Sequence, residues 1–280
     1  MKYRIKEALD LAVIKLGNSE HARLDAEVLL SHMLDKPRSY LHAWPETALG
    51  EEQALHFEKL LAQRAAGRPV AYLTGQREFW SLDLEVTAHT LIPRPESELL
   101  VEQALALLPA RANLQVADLG TGSGAIAIAL AKERASWSLR ALDRSFSCCR
   151  VAQRNARRLG IHNISVVNAS WCDALPDTSF DAIIANPPYV AEQDPHLRQG
   201  DVRHEPLSAL AAGADGLDEL RRLAADTPRV LKTGGWLFLE HGFDQSKHVR
   251  NLLNSKGFIN ISCVRDLAGA ERVSYAQKPP

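Results

Sequence analysis

An α/β fold built on a mostly parallel sheet, preceded by a helical bundle, is the fold class that the sequence predicts. Three observations lead there. Apolar residues recur at helical spacing through residues 1–75, and strand-like and helix-like patterns alternate from residue 114 onward. The glycine-rich turn Gly120-Thr121-Gly122-Ser123-Gly124 stands between the first of those strands and a helical run. Strands separated by helices imply parallel pairing with both sheet faces covered. A chain of 280 residues, 46% of them hydrophobic, can fill two cores.

Ile5, Leu9, Ala12, Val13 and Leu16 form the apolar stripe of a first helix, which Gly17 is placed to end. Ser19 can cap a second helix carrying Leu24, Val28, Leu29 and Met33, which must stop before Pro37. Leu55, Leu60 and Leu61 belong to a further helix that ends near Gly67 and Pro69. In residues 79–92 the period changes to two. Leu82, Leu84 and Val86 alternate with Asp83, Glu85 and Thr87, the pattern of a strand buried on one face. Residues 76–95 therefore read as a β-hairpin linker between a helical domain, 1–75, and a sheet domain, 96–280. Ile92-Pro93-Arg94-Pro95-Glu96 leads into a helix that runs to Leu108. Strands are expected at 114–118, 139–143, 164–168, 181–186 and 236–241, with amphipathic helices at 145–158 and 217–231. Candidate strands at 259–264 and 272–277 are separated only by a loop, so an antiparallel pair at the sheet end is expected. Thr233-Gly234-Gly235 reads as a strand lead-in.

Charges balance, with 33 Lys+Arg against 34 Asp+Glu and a formal net charge of -1. A protein held to DNA chiefly through its phosphates would be basic, so the balance counts against a nucleic-acid substrate. No run approaches the roughly 18 apolar residues of a membrane span, and the first residues lack the apolar stretch of an export signal. The chain is expected to be a cytoplasmic monomer that does not meet a membrane. Of the cysteines, Cys148 and Cys149 are adjacent, Cys172 and Cys263 stand alone, and none makes a Cys-x-x-Cys pair. Reduced thiols fit this better than a zinc or redox site. Ten histidines form no His-Glu-x-x-His helix, and no metal is expected. Arg150, Arg154, Arg157 and Arg158 cluster on one helix and read as a solvated face.

Chemistry concentrates in two segments. The glycines of residues 120–124 let the backbone turn sharply and let a ligand approach without a Cβ in the way. The turn opens a helix whose free N–H groups favour an electron-rich ligand. Asp143, 19 residues beyond Gly124 at the end of the next strand, can accept hydrogen bonds from both hydroxyls of a ribose. Gly120-x-Gly122-x-x-Ala125 also satisfies the relaxed dinucleotide fingerprint, so the loop alone leaves NAD open. Asp118 tilts the choice. A carboxylate ending the first strand would repel a pyrophosphate, yet it suits the cationic amino-acid end of S-adenosylmethionine. It could instead simply fix the turn.

Asn186-Pro187-Pro188-Tyr189 follows the apolar strand 180–185 and should lie beyond the carboxyl edge of the sheet, where open α/β folds bind ligands. Two prolines stiffen the segment and present carbonyls without N–H groups of their own. Asn186 can hydrogen-bond a planar amide or amino group, and Tyr189 can stack on it. A nitrogen within a π system is a poor nucleophile. Holding its N–H bonds in fixed acceptors aims its lone pair at an electrophile. A sulfonium methyl would supply that electrophile without a strong base or a metal.

At these residues the sequence resembles the HemK/PrmC-type release factor glutamine methyltransferases. The likeness runs over nearly the whole chain. It takes in Arg68-Pro69-Val70-Ala71-Tyr72-Leu73-Thr74-Gly75, residues 92–96, 118–124 and 186–189. It continues through Glu192-Gln193-Asp194-Pro195-His196-Leu197, Gly200-Asp201-Val202-Arg203, Glu205-Pro206-Leu207 and Leu239-Glu240-His241-Gly242. The resemblance implies a class I, Rossmann-like S-adenosylmethionine methyltransferase domain behind an N-terminal bundle that docks the substrate. It implies methylation of the side-chain amide nitrogen (N5) of the glutamine in the Gly-Gly-Gln motif of class I peptide chain release factors, leaving S-adenosyl-L-homocysteine. By matched position, Gly120, Thr121, Gly122, Ser123, Gly124, Asp143 and Asn186 would hold S-adenosyl-L-methionine, with Trp171 against its adenine. Asn186, Pro187, Pro188 and Tyr189 would hold the glutamine amide, with Asn186 and Tyr189 catalytic. The chain departs from the family where Ser170 replaces an Asp before Trp171, where His204 replaces a Phe, and where Glu96-Ser97 replaces Asp-Thr. The alternative reading is a nucleic-acid adenine-N6 or guanine-N2 methyltransferase, since Asn-Pro-Pro-Tyr serves an exocyclic amine equally well. A release-factor-binding protein without catalysis is a third reading, against which the intact 186–189 segment argues.

Overall fold

The computed structural model describes residues 3–17 and 21–280. Ser19, expected as a helix cap, lies outside the described residues. The chain divides into two compact units, Met1–Gln76 and Arg77–Pro280.

In the first unit, α1 (Ile5–Lys15), α2 (Ala22–Leu34), α3 (Arg38–Ala43), α4 (Glu51–Ala65) and α5 (Val70–Thr74) enclose a core that includes Ile5, Leu9, Leu29, Leu30, Phe57 and Leu61. Two expected core positions are corrected: Leu24 and Leu55 are exposed. The inward stripe of α2 is instead Ala22, Asp25, Ala26, Leu29 and Leu30. Asp25 can face inward because its carboxylate receives Arg64 Nε of α4 at 2.7 Å, which offsets the cost of removing the charge from water. Glu27, also buried, is held by Arg23 and Arg38. α2 stops at Leu34 because Asp35 turns left-handed (φ 51) just before Lys36-Pro37. Between these helices, α3 and α5 are single turns too short to show a period.

The second unit opens with the hairpin β1 (Gln76–Phe79) and β2 (Leu82–Glu85), whose Phe79, Leu82 and Leu84 join the core of the sheet domain. The hairpin is thus part of that domain's packing as well as a connection. A turn of 3-10 helix, Pro95–Ser97, runs into α6 (Glu98–Leu107). There follow β3 (Gln115–Leu119), α7 (Ala125–Glu133), β4 (Ser138–Asp143), α8 (Phe146–Arg158), β5 (Ile164–Asn168) and β6 (Phe180–Ala185). The chain closes with α9 (Asp218–Val230), β7 (Leu231–Glu240), α10 (Ser246–Ser255), β8 (Ile259–Arg265) and β9 (Glu271–Gln277).

Seven strands form one sheet in the order β5-β4-β3-β6-β7-β9-β8. The first five are parallel, and β9 lies antiparallel between β7 and β8. Alternation within each strand feeds two cores. Val116, Ala182, Ile184 and Phe238 pack against α6 and α7. Ala117, Leu119, Ile183 and Leu237 pack against α9 and α10. The strand expected at 236–241 begins earlier, because Thr233-Gly234-Gly235 lies inside β7 at a bulge that shifts its register against β6. Gly235 is required there, since a Cβ would come within 2.9 Å of the Lys232 carbonyl oxygen.

This topology positions the site. Strand order reverses between β3 and β6, where open α/β sheets leave a crevice at their carboxyl ends. Leu119 is paired with both Leu142 and Ala185. The chain therefore leaves the sheet at one level at Gly120 on β3 and Asn186 on β6, with Asp143 ending β4 alongside.

Candidate active site

The loop after β3 is shaped from its own backbone. Gly120 N and Thr121 N both donate to the Leu142 carbonyl at 2.9 Å, which bends the chain back over β4. Gly120, Gly122 and Gly124 have φ of 75, 57 and 88°, the left-handed region that side chains disfavour. Each glycine has its own neighbour. A Cβ on Gly120 would stand 3.1 Å from the Trp171 ring, and one on Gly124 would stand 2.9 Å from Ile128 Cδ1. A Cβ on Gly122 would meet nothing within 4 Å, because that residue faces open space.

That space is a cavity of about 230 Å³, lined by Gly120, Gly122, Asp143, Trp171, Asn186 and Pro188 among others. Six of the residues expected from the sequence therefore meet at one place. Thr121, Ser123 and Gly124 stand behind the loop instead. The Thr121 hydroxyl donates to Asp118 Oδ2 at 2.6 Å, and the Ser123 carbonyl accepts Asn155 Nδ2 at 2.9 Å. Asp143 is fixed from both sides, Oδ2 accepting Gly122 N at 2.9 Å and Oδ1 accepting Ser145 N at 2.8 Å. Each oxygen keeps a further lone pair for a ligand hydroxyl. Trp171, at φ 42, lays its ring over Gly120 and donates Nε1–H to Glu219 Oε2 at 2.7 Å.

A second cavity, about 190 Å³, is lined by Arg94, Asn186, Pro187, Tyr189, His196 and Leu197 among others. Asn186 belongs to both cavities, together with Leu91 and Ala209. Its Nδ2 donates backward to Ser97 Oγ at 2.9 Å, so Oδ1 is its free acceptor. The Tyr189 hydroxyl donates to Glu240 Oε1 at 3.1 Å.

Comparison with known proteins bears on this geometry. The PrmC N-terminal domain family matches residues 7–75, and the methyltransferase small domain family matches residues 95–202. The release factor glutamine methyltransferase of Pseudomonas aeruginosa is 51% identical over 263 residues, spanning 94% of this chain and 95% of its own. This chain belongs to the release factor glutamine methyltransferase family. The member from Shewanella oneidensis is 46% identical over 274 residues, spanning 98% of this chain and 96% of its own. A methyltransferase from Pyrococcus furiosus shares the fold at 17% identity, with a TM-score of 0.54 over 80% of this chain and 100% of that one.

Two carboxyl groups set the electrostatics of this family member's site. Asp118, 1% exposed, is pushed up to about 7 by burial, with Asp143 adding to the push and the Thr121 hydroxyl and Ala127 N–H opposing it. Its Oδ1 completes no hydrogen bond of normal geometry. Glu240, also 1% exposed, is likewise pushed up to about 7 by burial. Tyr189 is driven far above the ordinary phenol range by burial and by the adjacent Glu240. Local sequence reading missed Glu240, Ser97, Leu91 and the role of Arg94. Arg94 Nη2 pairs with Glu205 Oε1, while Ile92 N donates to Glu205 Oε2 at 3.0 Å. Glu205 therefore anchors the Ile-Pro-Arg-Pro segment beside the second cavity. Arg94 and Glu240 had an advance signal only from their place in motifs of the family resemblance, Ser97 only as a departure from it, and Leu91 had none. Within the arginine cluster, Arg154 forms a two-pronged pair with Glu85, and Arg158 donates to the Asp83 carbonyl. All four arginines are exposed, as expected for a solvated face, and Arg154 and Arg158 also tie α8 to the hairpin. Among the described residues, no group of three or more His, Cys, Asp or Glu is arranged to hold a metal ion, and no helix is long and apolar enough to cross a membrane.

Proposed function

We propose that this chain methylates the side-chain amide nitrogen of the glutamine in the Gly-Gly-Gln motif of class I peptide chain release factors, with S-adenosyl-L-methionine as donor. The observation that carries this reading is the sharing of Asn186 between the two cavities. One cavity is bordered by a glycine loop, a carboxylate and an aromatic ring, and the other by a stiff, acceptor-rich segment. Its relatives carry the same activity in their names.

The residues present suit the donor. Gly122 opens onto the first cavity without a side chain, Asp143 retains acceptor capacity for ribose hydroxyls, and Trp171 offers a ring face for adenine. Asp118, 1% exposed, lies beneath the loop and fixes its turn through the Thr121 hydroxyl. Bound in the first cavity, the donor supplies an electrophilic methyl on a sulfonium. The protein's part is orientation. Asn186 Oδ1 and the Pro187 carbonyl accept the amide N–H bonds, and Tyr189 packs against the amide plane. With those hydrogens held, the nitrogen lone pair is directed out of the amide plane and toward the first cavity. One N–H proton is lost as the nitrogen gains its methyl group. The first unit is assigned to docking the release factor, consistent with its match to the PrmC N-terminal domain family.

Incubation with labelled donor and a mixture of release factor, duplex DNA and RNA tests the reading. Label is expected in the release factor alone. Label in nucleic acid with none in protein would overturn the proposal in favour of an amino-methyltransferase for bases.

A further inference from the structure

Beneath the Asn-Pro-Pro-Tyr segment lies a buried polar group that the proposed chemistry does not itself use. Glu240 ends β7 and is 1% exposed; Ser97, just ahead of α6, is 4% exposed. Glu240 Oε1 accepts the Tyr189 hydroxyl at 3.1 Å, and Ser97 Oγ accepts Asn186 Nδ2 at 2.9 Å. The Ser97 hydroxyl is the other donor that faces the Glu240 carboxyl, whose Oε2 completes no hydrogen bond of normal geometry. Two hydrogen-bonded pairs, Tyr189 with Glu240 and Asn186 with Ser97, thus stand side by side, with the Ser97 hydroxyl facing the Glu240 carboxyl. A carboxylate this deeply buried is costly and is kept where its lone pairs do something specific.

We propose that Glu240, acting through Ser97, is a positioning residue that sets which end of the Asn186 amide meets the substrate. The proposal rests on the function read above and deepens it. An ionised carboxylate only accepts hydrogen bonds. It therefore draws the hydroxyl protons of both Tyr189 and Ser97 toward itself. Ser97, its proton directed at Glu240, offers only lone pairs to Asn186. Asn186 must then present Nδ2 to Ser97, which leaves Oδ1 toward the cavities as the acceptor a glutamine N–H needs. Protonated Glu240 reverses the order. It donates to Ser97, the Ser97 proton is free to donate to Asn186 Oδ1, and the acceptor is withdrawn from the substrate.

The charges around Glu240 fit a group that changes state near neutrality. Burial raises its pKa to about 7, Ser97, Tyr189 and Arg272 of β9 pull it down, and Glu96 pushes it up. Because the ionised form is the one that holds Asn186 correctly, turnover should fall as pH drops through that region.

The test compares wild type, Glu240→Gln, Ser97→Ala and Asn186→Ala as full chains, with release factor and S-adenosyl-L-methionine, from about pH 6 to 9. Wild-type kcat should show an acid limb with its midpoint near 7. Glu240→Gln should lower kcat on the order of tenfold or more while changing donor Kd less than about twofold, and it should lack the limb, since glutamine does not titrate. Ser97→Ala, which removes the link and not the carboxyl, should lower kcat similarly and serves if Glu240→Gln fails to fold. Wild-type kcat and an unchanged acid limb in Glu240→Gln would overturn the proposal, as would wild-type kcat in Ser97→Ala. If either occurs while Asn186→Ala is inactive, the positioning role fails and the proposed function stands. If Asn186→Ala is also fully active, the proposed function itself fails.

Discussion

Replacing Asn186 with alanine separates the two cavities chemically while leaving most of the first intact. Three consequences follow from the contacts. The Nδ2 to Ser97 Oγ hydrogen bond of 2.9 Å is lost. For a half-buried pair this costs about 1 kcal/mol of stability, which lowers Tm by about 2–4 °C in a unit of this size. The first cavity keeps Gly120, Gly122, Asp143 and Trp171, so donor Kd should change by less than about threefold, or ~0.7 kcal/mol. The acceptor that orients the amide nitrogen disappears. Loss of one group aimed at the reacting atoms lowers kcat about 10²- to 10³-fold, or ~2.7–4 kcal/mol. Titration calorimetry with S-adenosyl-L-methionine, a melting curve and a methyl-transfer assay give the three numbers. A variant that binds donor, melts near wild type and turns over at the wild-type rate would refute the assignment of Asn186. Loss of donor binding in step with turnover would show that Asn186 serves only the first cavity.

Gly120→Ala should weaken donor binding about tenfold by calorimetry, because a left-handed φ of 75° strains alanine by about 1 kcal/mol and its Cβ would press the Trp171 ring at 3.1 Å; unchanged affinity would show that ring and loop can separate freely. Asp118→Asn should raise the Tm of the ligand-free protein at about pH 8. The folded carboxyl sits near 7, against 3.8 in the free side chain. The wild-type fold therefore holds a proton that the unfolded chain has released, and it loses stability as pH rises through that interval. The variant's advantage should shrink toward about pH 4, and equal Tm values across the range would contradict the burial argument. Arg64→Ala removes the guanidinium that lies 2.7 Å from Asp25, with both side chains largely buried. It should destabilise the first unit by about 2 kcal/mol, read by thermal melting, with part recovered by adding Asp25→Ala; a loss under about 0.5 kcal/mol would place this pair among ordinary surface contacts.

Where structure follows local pattern, the sequence revealed it. Period two marked β2 and period 3.6 marked α1, because one face of each is buried. In helix α2 the spacing places Leu29 inward, as observed, but also Leu24, which is exposed; the buried Asp25–Arg64 pair that occupies the inward face instead joins residues 39 apart and is invisible to spacing. The antiparallel end of the sheet was legible from its short connection, whereas the insertion of β9 between β7 and β8 depends on pairing that periodicity does not encode. Within the site, Gly120 to Gly124 and Asn186 to Tyr189 announced themselves because their backbone demands are local. Asn186 and Ser97 meet across 89 residues, and Tyr189 and Glu240 across 51. Glu240 reads in isolation as an ordinary charged residue at a strand end. Its importance arises only when the sheet brings β6 beside β7.

The central claim is that the second cavity presents a glutamine amide to the first. Tandem mass spectrometry of a release factor after reaction with isotopically labelled S-adenosyl-L-methionine tests it most directly. Fragment ions should place one labelled methyl on the side-chain nitrogen of the Gly-Gly-Gln glutamine, with wild-type enzyme and not with Asn186→Ala. A methyl on any other residue, or an unmodified glutamine under conditions where a related family member modifies it, would contradict the account.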